Sequence, residues 1–219
     1  MNGACVLFDL DGTLTDADHL HHAAFNQVLG RFGRSVDSQY YKSQIMGHSN
    51  AIIFERLFPG ETAAHMLLAD EKEVNFRTLA KTLTPAAGLR QFLAFLRARG
   101  VPQGLVTNAP RANVVHQLAA LSLSGWFDTL VLGEELSDAK PHPLPYRTGL
   151  ANLGAAAQKS LAFEDSVSGL RSALAAGMAV VGLTTGLAPE ALLAEGAVLA
   201  IADYADPRLL PLVEARLGL

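Results

Sequence analysis

Short apolar runs alternate along most of the chain with longer segments that have the spacing of amphipathic helices. Residues 4–9 form the first run, and similar runs follow at 103–108, 129–133, 160–165, 179–185 and 197–203. Between residues 89 and 96, apolar side chains recur at i, i+3, i+4 and i+7, which predicts a helix. Further helices are predicted at 111–121, 144–153 and 167–176. Because the strand-like runs do not alternate with polar residues, both faces of the sheet should be covered. The pattern therefore predicts an α/β fold with a Rossmann-like parallel sheet.

One long segment interrupts this alternation. Between Leu20 and Ala80 no run is typical of a strand, and residues 67–79 form one amphipathic helical pattern. We therefore predict an α/β core made of residues 1–15 and 85–219, with an inserted α-helical cap at 16–84.

Composition and charge exclude several classes of function. The chain has 219 residues, of which 50% are hydrophobic, and a net charge of -4 without a basic stretch, so we expect no nucleic-acid partner. No apolar stretch approaches the ~20 residues of a membrane span, so no membrane association is expected. Asp9 and Asp11 interrupt the only region resembling a signal peptide, which favours a cytoplasmic protein. We expect a monomer or a weak dimer.

Polar residues follow four of the predicted strands. Ligands of open parallel sheets bind outside the carboxyl ends of the strands, so these positions are candidates for a site. They are Asp9, Asp11, Thr107, Asn108, Lys140, Glu164 and Asp165. Carboxylates from two strands suggest a hard cation such as Mg²⁺. A lysine beside acids suggests either a neutralised charge cluster or a cation for a phosphoryl oxygen. Together with a carboxylate nucleophile, this set suits phosphoryl transfer.

Four motifs in this order resemble the haloacid dehalogenase (HAD) superfamily. They read DLDGTL at 9–14, VTNAP at 106–110, KPHP at 140–143 and EDSVSG at 164–169. The resemblance covers the whole core, and it is strongest with the branch that carries a helical cap between the first two motifs. That branch includes phosphoglycolate phosphatases and β-phosphoglucomutases.

The resemblance implies a role for each residue of the motifs. Asp9 matches the nucleophile that takes the phosphoryl group as an aspartyl-phosphate, and Asp11 matches the general acid and base. Thr107 and Asn108 match the donors to phosphoryl oxygens, and Lys140 matches the balancing cation. The Mg²⁺ site matches Asp9, Asp11 through its main-chain carbonyl, and Asp165, with Glu164 as a ligand or a residue beside the metal.

The resemblance leaves the substrate open. A Mg²⁺-dependent phosphatase of a small phosphorylated metabolite, of the phosphoglycolate or sugar phosphate type, is the first hypothesis, and a β-phosphoglucomutase-like mutase is the alternative. Asn50 stands where related mutases carry an arginine and phosphonate-cleaving relatives a lysine, which weakens both readings. Candidate substrate-binding residues are His21, Gly47, His48, Ser49 and Asn50.

Two further features of the predicted cap bear on function. For Lys72 and Arg77, a solvated helix face is the favoured interpretation, with contact to the substrate as the alternative. Residues 15–18 and 82–85 connect cap and core, and we predict that they flex so that the cap closes and excludes water.

Overall fold

Six parallel strands form one sheet in the computed structural model, which describes residues 3–60 and 62–219. The strands are β1 (Val6–Phe8), β2 (Gln103–Thr107), β3 (Thr129–Leu132), β4 (Leu161–Glu164), β5 (Ala179–Leu183) and β6 (Leu199–Ile201). Their order across the sheet is β3-β2-β1-β4-β5-β6. The predicted α/β fold with a Rossmann-like parallel sheet is confirmed.

The central position of β1 explains why polar residues that are far apart in sequence meet. Phe8 pairs with Leu105 of β2 on one side and with Phe163 of β4 on the other. All three strands run in the same direction, so the residues that follow them emerge at one edge of the sheet.

The segment after β1 is helical. It contains α1 (Asp18–Gly30), α2 (Ser38–Tyr40), a π-helical turn (Tyr41–Ile45), α3 (Asn50–Leu57) and α4 (Thr62–Leu79). Its described residues include no strand between Asp18 and Leu79. Phe25, Val28, Ile53 and Phe54 belong to an apolar cluster of this segment, separate from the two clusters beside the sheet. The helical character matches the expectation for the insertion, while its status as a separate cap domain stays a prediction.

Six helices follow in the rest of the chain. They are α5 (Leu89–Ala98), α6 (Arg111–Ala120), α7 (Leu144–Asn152), α8 (Val167–Ala175), α9 (Pro189–Ala194) and α10 (Leu209–Leu217). Helices α5, α6 and α10 contribute to one apolar cluster, and α7, α8 and α9 contribute to the other. Both faces of the sheet are therefore covered, as the unalternating strands indicate.

The two connections between the sheet and the helical segment lie side by side. The Thr15 hydroxyl donates to the carbonyl of Thr84 at 2.8 Å. The Ala86 amide donates to the carbonyl of Leu14, also at 2.8 Å. The helical segment therefore leaves and rejoins the sheet at one place.

Within the described part of the chain, no helix combines the length and the apolar character needed to cross a membrane.

Candidate active site

Lys140 forms the centre of a buried charge cluster at the carboxyl edge of the sheet. Its Nζ donates to Asp9 Oδ1 at 2.7 Å and to Glu164 Oε1 at 2.5 Å, and the lysine is only 2% exposed. Burial alone would lower the pKa of Lys140, but the two carboxylates outweigh it and raise that pKa above its usual value. The side chain is therefore a fixed cation between the first and the fourth strand.

Glu164 is completely buried, and its position is set by its donors. Besides Lys140, the Tyr146 hydroxyl donates to Glu164 Oε1 at 2.6 Å. Gly169 in the first turn of α8 leaves room for the Glu164 carboxylate, which a Cβ at that position would overlap. These contacts favour Glu164 as the partner of Lys140.

A divalent cation fits beside Asp9 and Asp165. Carboxylate oxygens of Asp9, Glu164 and Asp165 all lie within 4.8 Å of one another. Among the described residues, Asp165 Oδ2 is buried and has no hydrogen-bond partner, which is unfavourable for a carboxylate unless a cation lies beside it. Burial and the neighbouring carboxylates raise the pKa of Asp165 well above its usual value, and burial similarly raises that of Asp9. Both shifts indicate a site that favours added positive charge.

Asp11 faces a different set of partners. Its Oδ1 accepts from His21 Nε2 and from Gln117 Nε2, each at 3.0 Å. Burial would raise the pKa of Asp11, but His21, Gln117 and the more distant Lys72 outweigh it and lower that pKa. The Asp11 carboxylate does not belong to the cluster around Asp165 among the described residues. Its predicted contribution to a metal site, through the main-chain carbonyl, stays a prediction.

Thr107 and Asn108 stand at the end of β2. The Thr107 hydroxyl accepts from the Ala109 amide at 3.0 Å and keeps its proton for another acceptor. Asn108 Oδ1 accepts from the Lys140 amide, and its Nδ2 donates to the carbonyls of Lys140 and Gly47, all at 3.1 Å. Asn108 thus holds the Lys140 loop in place and connects it to the helical segment.

The loop around Gly47 packs against Asn108 and Ser166 of the core. Gly47 has a φ of +74°, and a Cβ there would lie 2.5 Å from the Ser166 hydroxyl oxygen, so only glycine fits this contact. The cavity beneath it has a volume of about 80 Å³.

The structure brings most of the predicted site residues to this cavity. Its lining includes Asp9, Asp11, Thr107, Asn108, Lys140 and Asp165 from the core, and His21, Gly47, His48 and Asn50 from the helical segment. Glu164 is not part of the lining and instead contacts Lys140. Ser49 lines a neighbouring groove instead, so the structure does not bring it to the cavity with the others.

Sequence reasoning missed Glu73 of α4 and favoured the wrong interpretation of its neighbour Lys72. Lys72 is only 3% exposed, so the expectation of a solvated face is wrong for it. Its Nζ lies 2.9 Å from His21 Nδ1 and 3.0 Å from Glu73 Oε1, and both α4 residues line the cavity. Its spacing was a usable signal, because Lys72 lies four residues from the buried Leu68 and four from the buried Phe76.

Arg77 is oriented differently from Lys72. Its Nη1 donates to Asn113 Oδ1 of α6 at 2.7 Å, and Arg77 does not appear among the residues that line the cavity.

The tautomer of His21 follows from its neighbours. An ammonium group can only donate, so His21 Nδ1 accepts from Lys72 and His21 Nε2 carries the proton that is donated to Asp11. We therefore assign His21 as a neutral imidazole that connects α4 to Asp11.

Comparison with known proteins places the chain in a family. The family model described as haloacid dehalogenase-like hydrolase matches residues 6–183. A phosphoglycolate phosphatase of Yersinia pestis is 33% identical over 187 residues, which is 83% of this chain and 81% of that protein. A phosphorylated carbohydrates phosphatase of Thermotoga maritima is 29% identical over 177 residues, covering 79% of this chain and 81% of that protein.

A solved structure supports the same assignment. The crystal structure of a HAD hydrolase from Entamoeba histolytica superimposes with a TM-score of 0.87 at 25% identity, covering 97% of this chain and 99% of that one. The chain therefore belongs to the haloacid dehalogenase-like hydrolase family, and the prediction of a phosphatase of this family is confirmed by its phosphatase relatives.

Proposed function

We propose that the protein is a Mg²⁺-dependent phosphatase that hydrolyses a small phosphorylated metabolite through an aspartyl-phosphate on Asp9. The observation that carries this proposal is the contrast between two aspartates that lie two residues apart. Asp9 faces Lys140 beside an unpaired carboxylate oxygen of Asp165, whereas Asp11 faces the neutral donors His21 and Gln117. The first environment suits a nucleophile held ionised next to a cation, and the second suits a group that exchanges a proton.

Asp9 and Asp165, with the main-chain carbonyl of Asp11 that the family resemblance implies, would hold Mg²⁺, which when bound offsets the negative charge of the phosphoryl oxygens. Nucleophilic attack, proton transfer and hydrogen bonding to the phosphoryl group are carried out by the protein's own side chains.

In the first step, an Asp9 carboxylate oxygen attacks phosphorus and the bond from phosphorus to the ester oxygen breaks. Asp11 donates a proton to that oxygen, so the leaving group departs as an alcohol. The pKa of Asp11 is lowered in the free protein, but an approaching phosphoryl anion favours the protonated form of a nearby carboxyl group.

In the second step, Asp11 accepts a proton from the water that attacks the aspartyl-phosphate. The bond between Asp9 and phosphorus breaks, and inorganic phosphate leaves. Lys140 remains between Asp9 and Glu164 throughout, and the free proton of the Thr107 hydroxyl is available to a phosphoryl oxygen.

The test is phosphate release from a panel of phosphorylated metabolites, with Mg²⁺ and with a chelator. We expect Mg²⁺-dependent release by the native protein and release at background level by Asp9→Asn. Asp70→Asn is the matched control, because it removes the same charge from an exposed side chain that does not line the cavity. Activity that persists unchanged in Asp9→Asn would overturn the mechanism.

The mutase remains the alternative to the phosphatase. The side chain of Asn50, at the position where related mutases carry an arginine, donates to Glu73 Oε1 at 2.7 Å and has no charge to offer a second phosphate. Conversion of β-glucose 1-phosphate to glucose 6-phosphate without phosphate release would favour the mutase over the phosphatase.

A further inference from the structure

The helical segment presents an unusual balance of charge to the cavity. Among its described residues that line the cavity, Lys72 is the one lysine or arginine, whereas Asp18 and Glu73 are both acidic. His21 is held neutral between Lys72 and Asp11. This face, opposite the phosphoryl-binding edge of the sheet, is where a leaving group would lie.

The positive charge of Lys72 is already compensated. Two of the three N–H groups of its ammonium are directed to Glu73 Oε1 at 3.0 Å and to His21 Nδ1 at 2.9 Å. One N–H is left to donate to a neutral oxygen, but the carboxylate of Glu73 offsets the attraction that a second anion would feel.

The Glu73 side chain stays deprotonated and negatively charged. It also accepts from Asn50 Nδ2 at 2.7 Å and from Asn113 Nδ2 at 2.6 Å. Burial alone would raise the pKa of Glu73, but the charge of Lys72 and the hydrogen bonds from Asn50 and Lys72 outweigh it and lower that pKa below its usual value. Glu73 is therefore ionised at neutral pH, and three side chains, Asn50, Lys72 and Asn113, hold it in place.

Asp18 adds a second acceptor at the same face. Its Oδ1 accepts from the Tyr41 hydroxyl at 2.9 Å, and both side chains line the cavity. Asp18 and Lys72 together provide an acceptor and a donor, which is the pairing that hydroxyl groups require.

We propose that Glu73 is a specificity-determining residue that limits the enzyme to monophosphate esters whose leaving group is uncharged and carries hydroxyl groups. This inference rests on the proposed phosphatase function and narrows its substrate class. Esters with a carboxylate or a second phosphate on the leaving group are disfavoured, because that charge would meet Asp18 and Glu73 without a free cation.

The test compares substrates that differ mainly in this charge. 2-Phosphoglycolate and 2-hydroxyethyl phosphate share a two-carbon skeleton and differ by a carboxylate in place of a hydroxymethyl group. Fructose 1,6-bisphosphate and fructose 1-phosphate form a second pair. We expect the native enzyme to show kcat/KM at least about tenfold higher for the uncharged member of each pair, since charges a few ångströms apart act at this scale.

Variants then test whether Glu73 is the cause. Glu73→Gln should shift the kcat/KM ratio of each pair about tenfold toward the anionic member, because Lys72 loses its balancing charge. Glu55→Gln removes the same charge from a cap side chain that is 57% exposed, and its ratios should match the native enzyme. Asp18→Asn removes the second negative charge of the face and should shift the ratios in the same direction, which gives an independent reading if Glu73→Gln does not fold.

The outcomes separate this inference from the function on which it rests. Equal hydrolysis of both members of a pair by the native enzyme overturns the substrate class and leaves the phosphatase in place. Equal ratios for Glu73→Gln and Glu55→Gln overturn the role of Glu73. If no ester is hydrolysed in the presence of Mg²⁺, both proposals fail.

Discussion

Lys140 is the residue that balances the buried charge of the site. It lies between Asp9 and Glu164, and both it and Glu164 are excluded from solvent. A buried carboxylate that loses its partner is strongly destabilising, so the residues that hold this arrangement should influence stability as well as activity.

Tyr146→Phe tests this dependence at one atom. The Tyr146 hydroxyl donates to the Glu164 carboxylate at 2.6 Å, and its loss leaves a buried acceptor short of a donor. We expect the free energy of unfolding, measured by urea denaturation, to fall by about 2 kcal/mol, because hydrogen bonds to charged groups are the stronger class.

Tyr204→Phe provides the control for this substitution. Tyr204 is also buried, but its hydroxyl lies 3.3 Å from a neutral acceptor, the carbonyl of Thr13. Its loss should lower the free energy of unfolding by less than about 1 kcal/mol. An equal fall in the free energy of unfolding in the two variants would show that the hydrogen bond to Glu164 stabilises the protein no more than the one to a neutral carbonyl.

At the scale of single elements, the junction of β4 and α8 determines how closely a helix can approach the site. Ser166 caps α8, and its hydroxyl accepts from the Gly169 amide at 3.1 Å. Gly169 then faces the Glu164 carboxylate, with no room for a Cβ between them. The glycine therefore allows the helix to start directly beside the buried charges.

Gly169→Ala should lower the free energy of unfolding by about 3 kcal/mol, because the added methyl group overlaps a side chain that cannot move. Gly30→Ala, at the end of α1, is the matched control, since a Cβ there meets no atom within 4 Å. It should be neutral or stabilising by up to about 1 kcal/mol. Similar melting temperatures for the two variants would contradict this account of the junction.

Element boundaries show which part of the local structure the pattern could predict. The helix predicted at 144–153 spans Leu144–Asn152, and the one predicted at 167–176 spans Val167–Ala175. The strands are shorter than their apolar runs: residues 4–9 predict a strand, and β1 is Val6–Phe8. Asp9 lies just beyond β1, where its amide still donates to the carbonyl of Phe163 in β4 at 3.0 Å and its carboxylate accepts from Lys140.

At the scale of the whole molecule, the helical segment and the core are joined by polar contacts at several places. Asn108 donates to the carbonyl of Gly47, and Asn113 of α6 bonds both Glu73 and Arg77 of α4. Gly47, Asn108 and Glu73 line the cavity, and a movement of the helical segment away from the core would break these contacts. The flexing of residues 15–18 and 82–85 stays a prediction.

Asn113→Asp should weaken the closed arrangement. The substitution keeps the size of the side chain and the oxygen that accepts from Arg77, but it replaces the amide that donates to Glu73 by an oxygen that repels the Glu73 carboxylate. In small-angle scattering, we expect the native protein to become more compact when Mg²⁺ and orthovanadate are added. The variant should retain a larger radius of gyration and show a higher KM.

Asn152→Asp, an exposed change on α7, should behave like the native protein. If the native protein does not become more compact, the hinge prediction fails. If Asn113→Asp matches Asn152→Asp, the contact with Glu73 does not hold the helical segment against the core.

The sheet, the helices that cover it and the residues that follow the strands could all be predicted from the sequence. Apolar spacing is a local property, and motif residues such as Asp9 and Lys140 reach one edge because parallel strands end together. The contacts that these residues make depend on the tertiary structure. Asp11 bonds Gln117 across 106 positions, and Lys72 meets His21 across 51 positions because α4 packs against α1. Pairings of this kind depend on the packing of separate segments, which no local pattern encodes, and they set the charge around the leaving group.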